Sequence, residues 1–447
     1  MAIVQRAAPT FTVRRQRAGR RTGLATRIKA LFVAASFALY QGAFLPLISG
    51  VYGADLANPG ESEAAAVIGQ ALVFLGLIVF LAPYWYRLPR LIPKLGPVLL
   101  IVALCLTSSL WSDLPATSAR RGIALLICMA LGIFSILEFG LRQTLDIILK
   151  LSIVTALSSI AVFIFIPSIG HETALGYSAA MRGVFSQKNV LAAAMLTAFI
   201  ISQMNILGKR SPRLKDYAPA ALFLLCIALA RSSSCLLIAT ATIPVAILLY
   251  PKTNWRIRTL TLFASLAALS IVGFVVVFMP DFLFEALGRD PSLTGRVPLW
   301  QMVIAAIRVR PWLGYGYCGI WSDQSTLALY IWSSIHWIAP SAHNAYLDVV
   351  LQLGVGGLLL VLWWWARILV LSRRARRGPD VIEVTCGLVL LVAVMMLGFI
   401  DGRFPYPDQF SVLLTMVLLH LELRPVRVLV AVREPDRRLL MAGGIER

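Results

Sequence analysis

The sequence predicts an all-α, polytopic membrane protein of about twelve spanning helices, with one long outside loop that carries a helix of its own. Three observations predict it. The 447-residue chain is 59% hydrophobic and 14% charged, with a mean hydropathy of +0.81. A soluble domain keeps about a quarter of its residues charged, so lipid must cover much of this surface. Apolar runs of about 20 residues, the length a helix needs to cross the hydrocarbon, recur along the chain. Basic residues gather between alternate runs, as the positive-inside rule requires of cytoplasmic loops.

The elements follow in order. Residues 1–27 form a basic tail. Eight basic residues and no acidic one stand in 1–29, and a full-length apolar run follows at once. That reads as a cytoplasmic tail leading into a first span, not a cleaved leader. The runs lie near 28–49, 64–83, 95–111, 122–140, 145–167, 187–207, 217–231, 234–250, 258–280, 345–371, 382–400 and 408–423. Arg231-Ser232-Ser233-Ser234 divides the seventh from the eighth. The loop after the second run holds Arg87, Arg90 and Lys94, and that after the sixth holds Lys209, Arg210, Arg213 and Lys215. Lys252, Arg256 and Arg258 follow the eighth, and Arg373, Arg374, Arg376 and Arg377 follow the tenth. The first outside loop instead carries Asp55, Glu61 and Glu63. Merging the seventh and eighth runs would put two basic loops outside, so the charge bias favours the split and cytoplasmic termini. The membrane domain is then 28–423, and 424–447 is a second cytoplasmic tail.

Composition also excludes. The net charge of +20 does not point to nucleic acid, because the basic residues sit between apolar runs. Cys105, Cys128, Cys226, Cys235, Cys318 and Cys386 show neither a paired framework nor metal-ligand spacing, so no disulfide, zinc or other cofactor is expected. No Asp-x-Asp pair, Walker loop or Gly-x-Ser-x-Gly elbow occurs.

Two outside segments, 168–186 and 281–344, exceed what a connection needs. In the second, Pro298–Arg310 reads as a short amphipathic helix at the interface, with Trp300 and Trp312 at headgroup depth. The outside face should be poor in arginine, yet these segments hold Arg182, Arg289, Arg296, Arg308 and Arg310. Arginines against the topological bias suit an anionic ligand, since the guanidinium fork stays charged and donates in parallel. Lipid headgroups, Glu285 and Asp290 are the competing partners, above all for Arg308 and Arg310. Arg182 opens Arg182-Gly183-Val184-Phe185-Ser186-Gln187-Lys188-Asn189, where Ser186 to Asn189 can cap the sixth helix beside its positive dipole end. Of His171, His336, His343 and His420, only His343 leads straight into a helix, followed by a capping Asn344. Histidine is the side chain best placed to take a proton near neutral pH.

Taken in order, these motifs resemble the O-antigen ligase and polymerase superfamily, and within it the ExoQ-type exopolysaccharide polymerases. The set is an arginine before Gly-x-Phe-x-x-x-Asn at 182–189, and Leu293-Thr294-Gly295-Arg296 with Trp300 four residues on. Pro311-x-Leu-Gly-x-Gly316 and His343-Asn344-Ala345-Tyr346-Leu347 ahead of a glycine-bearing helix complete it. Trp111-Ser112-Asp113 with Pro115 also looks like that family. The resemblance implies a metal-independent, inverting glycosyltransferase of the inner membrane, with its active site in the periplasmic loops and 281–344 as the large one. It implies an undecaprenyl-diphosphate-linked oligosaccharide as donor, a glycan acceptor, membrane lipids around it, and a chain-length regulator and flippase as partners. Carried over, Arg182 and Arg296 hold the diphosphate and His343 activates the acceptor hydroxyl. Asn189, Trp300, Asn344 and Tyr346 support them. Leu287 to Arg296 favours polymerase over ligation of glycan to lipid A-core. A polysaccharide or lipid transporter is the rival from another class, and predicted helix centres nearly free of acids argue against it.

Overall fold

The computed structural model describes residues 23–50, 59–172, 180–278, 295–376, 378–400 and 404–424. The chain divides into two units: residues 21–422, and the terminal segments 1–20 with 423–447. Most of the two tails, Asp55, Arg289 and the Leu287–Thr294 stretch lie outside the described residues, as do the side chains of Glu61 and Glu63.

Among the described residues the fold is all-α, relieved only by an isolated bridge between His171 and Met181. The longer helices are α1 (Leu24–Gln41), α2 (Pro59–Leu81), α3 (Gly96–Thr107), α4 (Pro115–Glu138), α5 (Gly140–Phe165), α6 (Lys188–Leu207) and α7 (Ala218–Leu229). They continue with α8 (Ser233–Leu249), α9 (Trp255–Phe278), α10 (Arg296–Val309), α11 (Thr326–Ile335), α12 (Ala345–Ala375), α13 (Val381–Ile400) and α14 (Gln409–Glu422). Every apolar run carries a helix. Six stretches, 64–94, α4, α5, α6, α12 and α13, are long and apolar enough to cross a membrane by themselves. The expected division at Arg231 is real: α7 and α8 are separate helices, and Arg231 takes φ +49° between them.

Burial separates an apolar rim from a packed centre. Leu72, Leu75, Ile78 and Val79 of α2 and Leu260, Phe263 and Leu269 of α9 face outward, a surface that only lipid covers at low cost. At the centre α6, α13 and α14 are buried nearly all round. Small residues permit this: a Cβ at Gly132 would meet the Val412 carbonyl oxygen of α14, and one at Gly387 the Val417 side chain. One end of the bundle is tied by charge, with Lys29 on Glu138 at 2.8 Å, Arg142 on Glu383 at 3.2 Å and Lys94 on the Glu422 carbonyl at 3.0 Å.

At the opposite end of α12, residues 295–344 are more than a loop. Leu299, Val303, Ala306, Tyr315, Ile320, Ile331 and Leu351 close a small core of their own. The amphipathic helix expected over 298–310 is α10, and its apolar stripe faces that core. Trp300 is half buried and donates its Nε1–H to the Ala342 carbonyl at 2.9 Å, so it is an internal strut and not a headgroup anchor. Trp312 is the exposed one, at 73%. The second helix, α11, was not anticipated; Ser325 caps it.

This small domain is pinned to α12 by a break in that helix. Gly354 takes φ 68° and ψ −174° inside α12. A Cβ there would strike the Trp312 carbonyl oxygen, so only glycine fits. The backbone groups that the break frees are taken up by 311–316: Tyr315 and Gly316 donate to the Leu351 and Gln352 carbonyls at 2.9 Å, and Val355 donates to the Pro311 carbonyl at 2.8 Å. The Pro-x-Leu-Gly-x-Gly motif is thus a backbone plug, which makes a broken helix tolerable in an apolar setting.

Candidate functional site

His343 stands on the residue before the N-cap of α12, and its backbone is held on every side. Asn344 Oδ1 accepts the Tyr346 and Leu347 N–H groups at 3.0 and 3.1 Å, the expected cap. Ala342 is clamped at both of its peptide groups. Its N–H donates to the buried Asp348 carboxylate at 3.2 Å, and its carbonyl accepts from Trp300. Asp348 also accepts the Trp321 Nε1–H at 2.9 Å. Within this clamp His343 takes φ +48°, a conformation that few non-glycine residues hold without an over-determining environment. Its ring lies 5.8 Å from the Trp337 ring.

Arg296 belongs to the same neighbourhood. It opens α10, one turn before Trp300, and its Nη1 donates to the Ile400 carbonyl at the end of α13. Gly295 packs against the Trp337 indole that faces His343. Tyr346 closes the floor of this junction: its hydroxyl donates to the Met395 carbonyl at 2.9 Å and its ring lies tilted 4.6 Å from that of Phe399. Arg296, Trp300, His343, Asn344 and Tyr346 therefore converge where α10, α12 and α13 meet.

Arg182 is placed otherwise. It is 1% exposed, and Nε and Nη2 donate to the Ile169 and Ser168 carbonyls at 2.8 and 3.3 Å. Its own N–H reaches the Gly170 carbonyl, and Gly183 behind it packs so tightly on Ser159 that no Cβ fits. The cap expected from Ser186 to Asn189 is absent. Gln187 is the N-cap of α6 with no side-chain bond, and the Lys188 N–H donates to Glu172 Oε2 at 2.9 Å. That buried carboxylate, sixteen residues upstream, already sits at the positive end of α6. Asn189 is exposed in the first turn. Of the remaining histidines, His171 lies with its ring tilted 4.4 Å from Phe163, His336 is the C-cap of α11, and His420 stands in the last turn of α14 with Nε2 4.0 Å from Asp380.

The sequence reading missed Asp348, Trp321, Trp337 and Glu172. An acid in the first turn of an apolar helix was the available signal for Asp348. Nothing local announces Glu172 as a cap, because its partner is distant in sequence.

With this geometry in hand, comparison is informative. An O-antigen ligase family profile matches residues 218–362, from α7 into α12. That stretch contains Arg296, Trp300, His343, Asn344 and Tyr346 but not Arg182. The exopolysaccharide production protein ExoQ of Rhizobium meliloti is 25% identical over 338 residues, 69% of this chain and 76% of that protein. A Rickettsia felis protein named as a polysaccharide ligase is 27% identical over 270 residues, 59% of this chain and 65% of its own length. These matches support an O-antigen ligase and ExoQ-type superfamily assignment. The six long apolar stretches agree with a membrane protein of that kind.

Proposed function

We propose that this chain polymerises lipid-linked oligosaccharide repeat units into exopolysaccharide or O-antigen. The donor is an undecaprenyl-diphosphate glycan, and transfer is inverting, metal-independent and on the periplasmic face of the inner membrane. The observation that carries the reading is a His343 fixed in a strained backbone and facing Trp337, on which Gly295 before Arg296 packs, within the stretch matched by the family profile. A guanidinium has five N–H donors, so Arg296 can be fixed by the Ile400 carbonyl and still present a fork to a diphosphate. Charge builds on the diphosphate as the glycosidic bond breaks, and a preorganised cation stabilises that state more than the ground state. His343, neutral, takes the proton of the attacking hydroxyl; that oxygen bonds to the anomeric carbon from the opposite face, and the diphosphate leaves with the bond pair. Arg182 is the second diphosphate arginine in this reading, in addition to holding the 168–170 carbonyls.

In the same proposal the chain makes about twelve crossings, with residues 28–423 as the membrane domain, both termini in the cytoplasm and the loop 281–344 in the periplasm. Exposed Ser211, between α6 and α7, and exposed Gln324 serve as reporters. Ser211→Cys and Gln324→Cys, in a Cys318→Ala background, should label from opposite sides of the membrane; labelling from one side refutes the topology. For the reaction, a deletion strain should accumulate single repeat units on the carrier. The Rickettsia felis relative favours ligase as the second reading, and long polymer left on its carrier in that strain would select it.

A further inference from the structure

The geometry points to a saccharide-binding cleft between Trp111 and residues 309–314, and assigns it to the acceptor glycan. The assignment of the occupant as acceptor rests on the glycosyl-transfer reading above. The cleft is open, about 420 Å³, and lined by Trp111, Arg310, Trp312 and Leu313. That volume lies within the range of small-molecule sites, roughly 300–1,000 Å³.

Its walls carry two kinds of group. Trp312 is 73% and Leu313 54% exposed. The Trp111 indole is oriented by its Nε1–H, which donates to the Leu313 carbonyl at 3.1 Å. Beside them, the Arg310 guanidinium lies 4.7 Å over the Tyr315 ring, with Nη1 3.6 Å from Asp113 Oδ1. Arg310, which lines the cleft, is 47% exposed, and Asp113 beside it is 33% exposed. Burial pushes the Tyr315 hydroxyl above its ordinary range, with Arg310 pulling it down and Asp113 adding to the rise. The ring under Arg310 therefore stays neutral and acts as a flat support.

An exposed indole beside a paired donor fork and carboxylate fits a sugar. A pyranose offers an apolar C–H face to stack and hydroxyls that both donate and accept. A bare anion fits less well, because Asp113 already offsets the Arg310 charge. A bare acyl chain leaves the ion pair unused. Position supports the assignment too. The floor of the cleft is the segment that plugs the α12 break at Gly354, and the same helix begins at His343 and Asn344. Cleft and base are thus held on one element.

The test uses the full chain in lipid nanodiscs. The probe is the oligosaccharide mixture released by mild acid from the source organism's own surface polysaccharide. Trp312→Ala keeps the backbone plug, and Asp113→Asn keeps the size. Each should raise the dissociation constant about tenfold or more, as expected when one charged or stacked partner is lost. Arg296→Ala should leave it unchanged. Absence of binding by wild type, or wild-type binding by both cleft variants, overturns the proposal. Membrane anchoring is read separately from fluorotryptophan NMR, the Trp312 peak being the one lost in Trp312→Ala. A Trp312 peak broadened by headgroup spin label and unmoved by the oligosaccharide makes it an anchor and also overturns the proposal. Transfer assays on the same samples separate the two readings. Active enzyme without cleft binding overturns only the cleft, whereas cleft binding by inactive wild type overturns the transfer reading and the acceptor assignment with it.

Discussion

Arg182 and Arg296 look equivalent in the sequence: each is an arginine in a glycine-bearing motif near a helix start. In the folded protein they are opposites. Arg296 is half buried, held by a carbonyl at the end of α13, and one turn from the Trp300 strut that clamps the His343 segment. Arg182 is sealed among the 168–170 carbonyls, next to an α6 N-terminus that Glu172 already caps. A motif arginine can be selected for what it binds or for what it braces, and the difference lies in who takes its donors. A buried arginine on neutral carbonyls donates to backbone acceptors that a helix end leaves open. Arg296, half buried at a junction of three helices, stays partly exposed, as the proposed donor role requires.

If chemistry resides at the α10–α12–α13 junction, the largest effect belongs to His343. Glutamine keeps hydrogen bonding and approximate size but cannot take a proton. His343→Gln should remain folded and membrane-inserted, still bind carrier-linked donor, and transfer sugar about 10²–10⁴-fold more slowly. The check is initial rates with purified protein and a defined lipid-linked donor. Near wild-type rates would leave His343 as a brace for α12.

The next effect sharpens the contrast between the two arginines. Arg296→Ala should cost about 2–3 kcal/mol at the transition state, roughly 30- to 150-fold in rate, with little change in melting temperature. Arg296→Lys should do nearly as badly, since a point charge does not copy the fork. Arg182→Ala strands the Ile169 and Ser168 carbonyls, at about 1–3 kcal/mol for each buried group left unsatisfied, and should lower thermal stability in detergent. Melting curves and donor-binding isotherms on the same preparations separate the roles. A thermally intact Arg182→Ala that cannot bind donor would make Arg182 a ligand first and a brace second. Full activity in Arg296→Ala would remove the junction from the chemistry.

The two regions also differ in how far they could be read in advance. Helices follow from apolar runs, a local property, so α1 to α9 and α12 to α14 were legible, including the α7–α8 division that charge alternation betrays. Asn344 was legible as a cap because its partners are two and three residues away. The 295–344 domain was not, because its core closes on Leu351 of another helix and its second helix is a short run of ten residues. The glycines of 314, 316 and 354 announce unusual backbone, yet not that one segment would fill the break made by another. The same limit hid Glu172, whose partner is sixteen residues downstream. Sequence reading thus found the residues that are candidates for chemistry and missed most of those that hold them in place.

Asp348 is the residue on which that last distinction can be measured, with the smallest expected effect. Its Oδ1 accepts the Trp321 Nε1–H, and the Ala342 N–H is shared between Oδ1 and Oδ2. Asparagine has one oxygen and one NH₂ in nearly the same space, and in either orientation the NH₂ faces the Ala342 N–H, a donor. Asp348→Asn should therefore weaken one side of the Ala342 clamp while Trp300 keeps the other. Loss of one such buried bond costs about 1–3 kcal/mol, part of it as stability and part as misplacement of His343. If Asp348 positions the base, kcat should fall roughly tenfold with KM for donor nearly unchanged, because displacement of a catalytic group by about 1 Å is costly even when binding is intact. If it serves the fold alone, the melting temperature should drop while kcat of the surviving folded protein stays at the wild-type value. The Trp300→Phe variant completes the comparison, since it frees the Ala342 carbonyl and leaves Asp348 in place. Two opposite halves of one clamp should give the same kinetic signature, and a kcat loss in Asp348→Asn without one in Trp300→Phe would show that the carboxylate, not the clamp, matters to the reaction.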